Sequence, residues 1–123
     1  MKARKIEIYH NNRCGKSRGA LELLQKSGNE IIVIDYLKNP PTPKDVKTVL
    51  SKLDVNVKGI IRVKEKVFIE NFKNKNFTDD EWVQILCEHP ILIERPIVID
   101  GFKAVVARPP ELVLELIKRK NRK

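Results

Sequence analysis

Residues 5–18 have the sequence KIEIYHNNRCGKSR, and this stretch decides the fold class. Its first five residues carry the apolar and polar alternation of a β-strand, predicted over about 5–9. A helix is predicted to begin after Cys14 and to run to about residue 27, where Ser27-Gly28 supplies a stop. A thiol in the first turn of a helix lies near unpaired backbone N–H groups, whose partial positive charge favours the reactive thiolate.

Further strands are predicted on either side of a long middle section. Ile31-Ile32-Val33-Ile34 is a continuous apolar run, which predicts a buried strand parallel to the first. Pro96-Ile97-Val98-Ile99 predicts a third strand, and Asp100-Gly101 predicts a two-residue hairpin turn. Phe102–Val106 would then return as the fourth strand, and a last helix is predicted to start at Pro109-Pro110.

The middle section is predicted to be helical. Thr42 is suited to an N-cap, with Pro43 at the first helical position. Thr78 and Glu81 are spaced as a capping box that opens another helix. Residues 54–77 are polar and irregular, with room for short helices.

These elements follow in the order strand, helix, strand, several helices, β-hairpin and helix. Two parallel strands followed by an antiparallel hairpin, all covered by helices, predict an α/β fold of the thioredoxin-like class with a mixed four-stranded sheet. The chain of 123 residues is predicted to form a single domain over residues 1–123, with a helical insertion at about 42–90.

Composition narrows the class of protein. An apolar content of 41% is typical of a globular chain. No apolar run approaches the roughly 20 residues that would span a bilayer, and the N-terminus lacks the apolar stretch of a signal peptide. We therefore expect a cytoplasmic protein with no membrane contact. In that reducing compartment Cys14 and Cys87 are expected to be separate thiols, not a disulfide.

The chain is basic, with a net charge of +9, and residues 118–123 carry five of its positive charges. Such a tail could contact nucleic acid or an acidic protein surface, or be a solvated terminus. The solvated terminus is the preferred interpretation.

Three other cysteine or phosphate motifs fail at the loop around Cys14. A P-loop would need glycine where His10 stands, and a tyrosine-phosphatase loop would need arginine where Ala20 stands. A Cys-x-x-Cys dithiol would need a second cysteine in place of Ser17. What remains is a single thiol at a helix N-terminus. The Ser17 hydroxyl could donate a hydrogen bond to the thiolate or cap the helix.

Five blocks follow one another along the whole chain in a specific order and spacing. They are Tyr9-His10-Asn11…Cys14-Gly15…Ser17-Arg18, Tyr36-Leu37…Asn39-Pro40-Pro41, Phe77-Thr78-Asp79-Asp80, His89-Pro90-Ile91-Leu92-Ile93…Arg95-Pro96-Ile97-Val98, and Arg108-Pro109 followed by Glu111–Leu114. In this arrangement they resemble the glutaredoxin-coupled, single-domain arsenate reductases. The chain departs from that family at Asn12, where the loop of the family usually carries proline.

The resemblance implies a set of site residues. Cys14 would be the nucleophile that attacks arsenate, and three arginines would hold the oxyanion. Arginine suits this role because its planar, permanently charged guanidinium matches a tetrahedral oxyanion. His10 would lower the pKa of the thiol or end the strand, Ser17 and Pro96 would be supporting residues, and the peptide before Pro96 would be cis. The three implied oxyanion-binding arginines are Arg62, Arg95 and Arg108.

The resemblance also implies the chemistry. Arsenate would be the substrate, glutathione the co-substrate and glutaredoxin the protein partner, with no bound cofactor and no metal. One alternative is a regulator of the Spx-like class, which binds RNA polymerase. Ser17 disfavours it because those regulators commonly carry a Cys-x-x-Cys switch, and Arg108-Pro109 is an element they lack. A general glutathione-dependent thiol reductase is the other alternative, separated from the first only by the three arginines.

Overall fold

The first strand forms where the alternating pattern predicts it, at Lys5–Tyr9. The computed structural model describes residues 5–121, with side chains through residue 117. The predicted basic tail at 118–123 therefore lies outside the described side chains. The chain divides into two compact units. We call residues 37–94 the helical unit, and the residues before and after them the sheet unit.

The sheet unit contains four strands in the order β2-β1-β3-β4. Here β1 is Lys5–Tyr9, β2 is Glu30–Ile34, β3 is Ile97–Asp100 and β4 is Lys103–Val106. Strand β2 is parallel to β1, whereas β3 is antiparallel to both β1 and β4. The mixed four-stranded α/β sheet of the thioredoxin-like class is thus confirmed.

Two helices of the sheet unit bury its core. Helix α1 covers Gly15–Gln25 and helix α5 covers Leu112–Asn121. Both present apolar residues at helical spacing to the sheet, so their contact faces are removed from water. The fully buried core residues of this cluster are Ile6, Ile8, Ala20, Leu24, Val98, Ala107 and Val113.

Two local predictions in the sheet unit are wrong. Strand β2 is not buried, because it lies at the sheet edge and leaves Val33 48% exposed. The hairpin turn consists of Gly101 and Phe102, since Asp100 pairs with Lys103. Gly101 has a φ of 67°, and glycine at the first turn position tolerates this value without strain.

The last helix begins later than its two prolines. Pro109 and Pro110 form preceding turns, in which their carbonyls accept from the N–H groups of Leu112 and Val113. Helix α5 starts at Leu112. Both prolines lack an N–H, so they are accommodated where no helical donor is required.

The helical unit is built from three α-helices: α2 at Pro43–Leu53, α3 at Lys66–Asn71 and α4 at Asp79–Glu88. Short 3-10 helices occur at Val57–Ile60 and Pro90–Leu92. Capping boxes at Thr42 and Thr78 satisfy backbone donors that open α2 and α4, as the sequence predicts at Thr78. Helix α4 buries the predicted inward face of Trp82, Ile85 and Leu86.

An aromatic cluster fills the helical unit beside α4. The rings of Phe77 and Trp82 meet edge to face, with centroids 4.9 Å apart. Phe68 stacks on Trp82 at 6.0 Å, and Phe72 packs on His89 at 5.4 Å. Such pairs are worth about 0.5–1.5 kcal/mol each beyond the area they bury. Across residues 5–121, no helix combines the length and the apolar character that a bilayer crossing requires.

Candidate active site

The loop between β1 and α1 places Cys14 at the N-cap of the helix. The His10 N–H donates to the Ile34 carbonyl at 2.9 Å, which continues the parallel ladder one residue beyond β1. The chain then turns, and the Cys14 carbonyl accepts the first helical hydrogen bond from the Arg18 N–H at 3.0 Å. The thiol therefore lies beside the unpaired N–H groups of the first helical turn.

The hairpin register explains why two arginines lie at this loop. Ile97 pairs with Val106 across the hairpin and with Tyr9 of β1. The residues just outside this register, Arg95 and Arg108, consequently lie at the end of the sheet where β1 leads into the cysteine loop.

The two arginines contact each other and the thiol. Nη1 of Arg108 donates to the Arg95 carbonyl at 3.0 Å and lies 3.9 Å from Sγ of Cys14, a long hydrogen bond to sulfur. The Arg95 side chain also donates a hydrogen bond to the thiol. The Arg95-Pro96 peptide is cis, which confirms the geometry that the family resemblance implies.

The pKa of the Cys14 thiol lies below its ordinary value. Burial raises this pKa, but hydrogen bonds from the Ser17 backbone N–H, the Arg95 side chain and the Lys16 backbone N–H lower it. The positive charge of Arg95 lowers it further. Each of these groups stabilises the thiolate more than the thiol, so the net effect enriches the nucleophilic form.

The Ser17 hydroxyl takes neither of the two roles that the sequence left open. It is fully buried and lies 2.6 Å from Nδ1 of His10, and it accepts from the Asn11 N–H at 3.0 Å. Its backbone N–H, not its hydroxyl, faces the thiol of Cys14. The hydroxyl therefore ties the end of β1 to the first turn of α1.

His10 acts on the same network. Its side chain is buried, and its ring nitrogen bonds Ser17 without being among the groups that lower the Cys14 pKa. This short contact between two buried side chains fixes the His10 ring at the end of β1.

Arg62, the third arginine implied by the resemblance, belongs to the helical unit. Its Nε donates to a Glu65 carboxylate oxygen and its Nη1 to a Glu94 carboxylate oxygen, each at 3.0 Å. An isolated antiparallel bridge between Ile61 and Ile93 fixes the backbone here, with hydrogen bonds from the Arg62 N–H to the Leu92 carbonyl and from the Glu94 N–H to the Ile60 carbonyl. Two half-buried carboxylates thus hold its guanidinium in one orientation.

The second thiol differs from the first. Cys87 is half-buried on α4, and burial followed by the negative charges of Asp45 and Glu88 raises its pKa. Its environment suppresses the thiolate that the environment of Cys14 promotes. Among residues 5–121 no group of three or more His, Cys, Asp or Glu side chains is placed to hold a metal ion.

Asn11, Asn12 and Arg18, the last of them in α1, make hydrogen bonds at the site that the sequence analysis did not predict. Asn11 accepts from the Cys14 N–H with its carbonyl and from the Arg13 N–H with its side chain. Arg18 donates to the Asn12 carbonyl at 2.8 Å. Asparagine is favoured at the first position of such turns, so the Asn11-Asn12 pair before Cys14 was the available signal.

Fold and loop together define a class: a thioredoxin-like protein with one activated cysteine and arginines at the thiol. Residues 9–116 match the model of the ArsC family, and the chain belongs to this family. An arsenate reductase of Escherichia coli K12 is 37% identical over 113 residues, which make up 91% of this chain and 80% of the relative.

Other relatives agree in both sequence and structure. An arsenate reductase of Neisseria meningitidis serogroup B is 41% identical over 108 residues, or 86% of this chain and 92% of the relative. The solved structure of an arsenate reductase from Vibrio cholerae superposes with a TM-score of 0.88 at 40% identity. That match covers 93% of this chain and 98% of the other.

Proposed function

We propose that this protein is an oxidoreductase that reduces arsenate to arsenite through Cys14. The observation that carries the proposal is a thiol of lowered pKa that lies against two guanidinium groups, those of Arg95 and Arg108. A thiolate is the nucleophile, and adjacent guanidinium groups attract and orient an oxyanion. Membership of a family whose relatives are named arsenate reductases supports the choice of arsenate.

In the proposed mechanism the Cys14 thiolate attacks arsenic and displaces one oxygen as water, which leaves an S–As(V) bond. Arg95 and Arg108 neutralise the charge of the bound oxyanion and stabilise charge as the oxygen departs. The backbone N–H groups of Lys16 and Ser17 hold the thiolate before attack and the leaving thiolate afterwards.

Two further thiols supply the two electrons that convert As(V) to As(III). Glutathione would replace a second oxygen of the arsenate adduct, which leaves as water, and a glutaredoxin thiol would then attack the glutathione sulfur. The electron pair of the broken S–As bond reduces As(V) to As(III), and glutathione and glutaredoxin leave as a mixed disulfide. Water then hydrolyses the remaining S–As(III) bond, which releases arsenite and restores the Cys14 thiol. An external reductant fits this chain because Ser17 stands where a dithiol would have its second cysteine. The scheme uses no bound cofactor, and its need for reduced thiols leads us to propose a cytoplasmic location.

Arg62 enters the proposal by the family resemblance, as the third oxyanion donor. Its two hydrogen bonds to Glu65 and Glu94 leave three of the five guanidinium N–H groups for other partners. Arg62→Ala should therefore raise the KM for arsenate, while Lys64→Ala, which removes a neighbouring charge, should leave it within about twofold. Equal KM values for the two variants would remove Arg62 from the site.

The decisive test is arsenate-dependent NADPH oxidation in an assay coupled through glutathione, glutaredoxin and glutathione reductase. Cys14→Ser should abolish turnover, whereas Cys87→Ser should retain it. Equal loss in both variants would make Cys87 a resolving thiol and contradict the single-thiol scheme.

If folded, reduced wild-type protein gives no oxidation above background, arsenate reduction is refuted. Oxidation of NADPH with a disulfide substrate in place of arsenate would then identify a general thiol reductase. Stoichiometric binding of RNA polymerase without reductase activity would identify a regulator.

A further inference from the structure

The turn that precedes Cys14 contains no proline to fix its backbone conformation. The Cys14 N–H donates to the Asn11 carbonyl at 3.0 Å, so Asn12 and Arg13 are the central residues of a hydrogen-bonded turn. Neither central residue has a positive φ, which makes this a turn of type I. Proline is favoured at the first central position because its ring fixes φ, but Asn12 leaves that angle free.

Arg18 contacts this turn twice. Its guanidinium Nη1 donates to the Asn12 carbonyl at 2.8 Å, and its backbone N–H donates to the Cys14 carbonyl at 3.0 Å. The two accepting carbonyls lie on either side of Arg13. Arg18 is exposed, and among residues 5–117 no carboxylate pairs with its guanidinium. The described hydrogen bond of the Arg18 side chain is thus made to the loop backbone.

We propose that Arg18 is a positioning residue, whose guanidinium braces the Cys14 turn through the Asn12 carbonyl as a proline ring at position 12 would brace it covalently. The inference rests on Cys14 being the nucleophile of the proposed function. It does not depend on arsenate, because the reactivity of the thiol can be measured with an alkylating agent.

The reason is geometric. The thiolate is stabilised by the backbone N–H groups of Lys16 and Ser17, which point to one place at the start of α1. A turn that samples other conformations moves the sulfur of Cys14 away from that place for part of the time. Neither Arg13 nor Arg18 is among the groups that lower the pKa of the thiol. Removing either positive charge should therefore change the pKa of the thiol only weakly through electrostatics. Only the removal of the Arg18 side chain should make the turn more mobile.

The experiment measures the rate of Cys14 alkylation by iodoacetamide against pH, in full-length protein carrying Cys87→Ser. Four variants are compared: Arg18→Ala, Arg13→Ala, Asn12→Pro, and Asn12→Pro combined with Arg18→Ala. Arg13→Ala is the matched control, because it removes the same charge from an exposed neighbouring position. No hydrogen bond from the Asn12 N–H occurs among residues 5–121, so proline removes no described contact there.

Arg18→Ala should slow alkylation at pH 7 by about three- to tenfold, the range for one hydrogen bond of ordinary net strength, and should move the profile to higher pH. Arg13→Ala should stay within about twofold of the parent. In the Asn12→Pro background, Arg18→Ala should slow alkylation by less than about twofold, since the proline ring then restrains the turn.

Equal slowing by Arg13→Ala and Arg18→Ala would overturn the proposal in favour of a charge effect. Undiminished slowing by Arg18→Ala in the Asn12→Pro background would overturn it as well. Amide hydrogen exchange provides a readout that does not depend on how proline is tolerated. The Cys14 N–H closes the turn, so its exchange should accelerate in Arg18→Ala. If the Cys14 N–H of Arg18→Ala exchanges at the same rate as in the parent protein, Arg18 does not stabilise the turn and the proposal is refuted.

Discussion

Ser17→Ala separates two functions that one residue performs at the Cys14 loop. The substitution removes the hydroxyl that bonds Nδ1 of His10 at 2.6 Å and accepts from the Asn11 N–H at 3.0 Å. It retains the backbone N–H that lowers the pKa of Cys14. We therefore expect the variant to be less stable while keeping most of its thiol acidity.

The magnitude follows from burial. Both partners of the hydroxyl are 7% exposed, so water does not readily replace it. Each buried polar group left unsatisfied costs about 1–3 kcal/mol, and partial relaxation places the total at about 2–4 kcal/mol. With a urea m-value of about 2 kcal/mol/M, the unfolding midpoint of Ser17→Ala should fall by about 1–2 M.

The assay pairs urea unfolding with the pH profile of Cys14 alkylation in the same protein. Ser27→Ala serves as a control, because it removes an exposed hydroxyl just after the same helix, which bonds the Leu24 carbonyl and Asn29. An unchanged unfolding midpoint together with alkylation moved to higher pH would refute the reasoning. It would mean that the hydroxyl of Ser17 itself donates to the thiolate.

Three further outcomes are expected. Because the pKa of Cys14 is lowered and that of Cys87 is raised, iodoacetamide at neutral pH should label Cys14 first by mass spectrometry. The alkylation rate of Cys14 should reach its plateau at a lower pH than that of free cysteine, and the rate of Cys87 at a higher pH. Identical pH profiles for the two thiols would contradict this expectation. Thr78→Ala should lower the free energy of unfolding by about 1 kcal/mol through loss of the α4 N-cap, with the Cys14 alkylation rate unchanged as the check. Arg108→Ala should raise the arsenate KM by about ten- to a hundredfold, for a lost charged hydrogen bond of about 1.5–3 kcal/mol, and Arg108→Lys should recover only part of it.

Features that depend on neighbours in sequence were predictable. The capping box of Thr78 with Glu81 forms as its spacing predicts, because both hydrogen bonds close within one helical turn. The placement of Cys14 just before α1 is likewise local, since a strand pattern ends and a helix pattern begins on either side of it. The turn at Gly101 was misplaced by one residue, because register is set by which residue of β4 faces Asp100.

The sequence by itself determined the element types, their order and a cysteine at a helix N-terminus, since periodicity and caps are properties of short segments. Only the tertiary structure decided which groups meet that cysteine. Arg108 lies 94 positions further along the chain and reaches the thiol because the β3–β4 register aligns it with Arg95. Contacts of this kind follow from packing between distant segments, which no local pattern specifies.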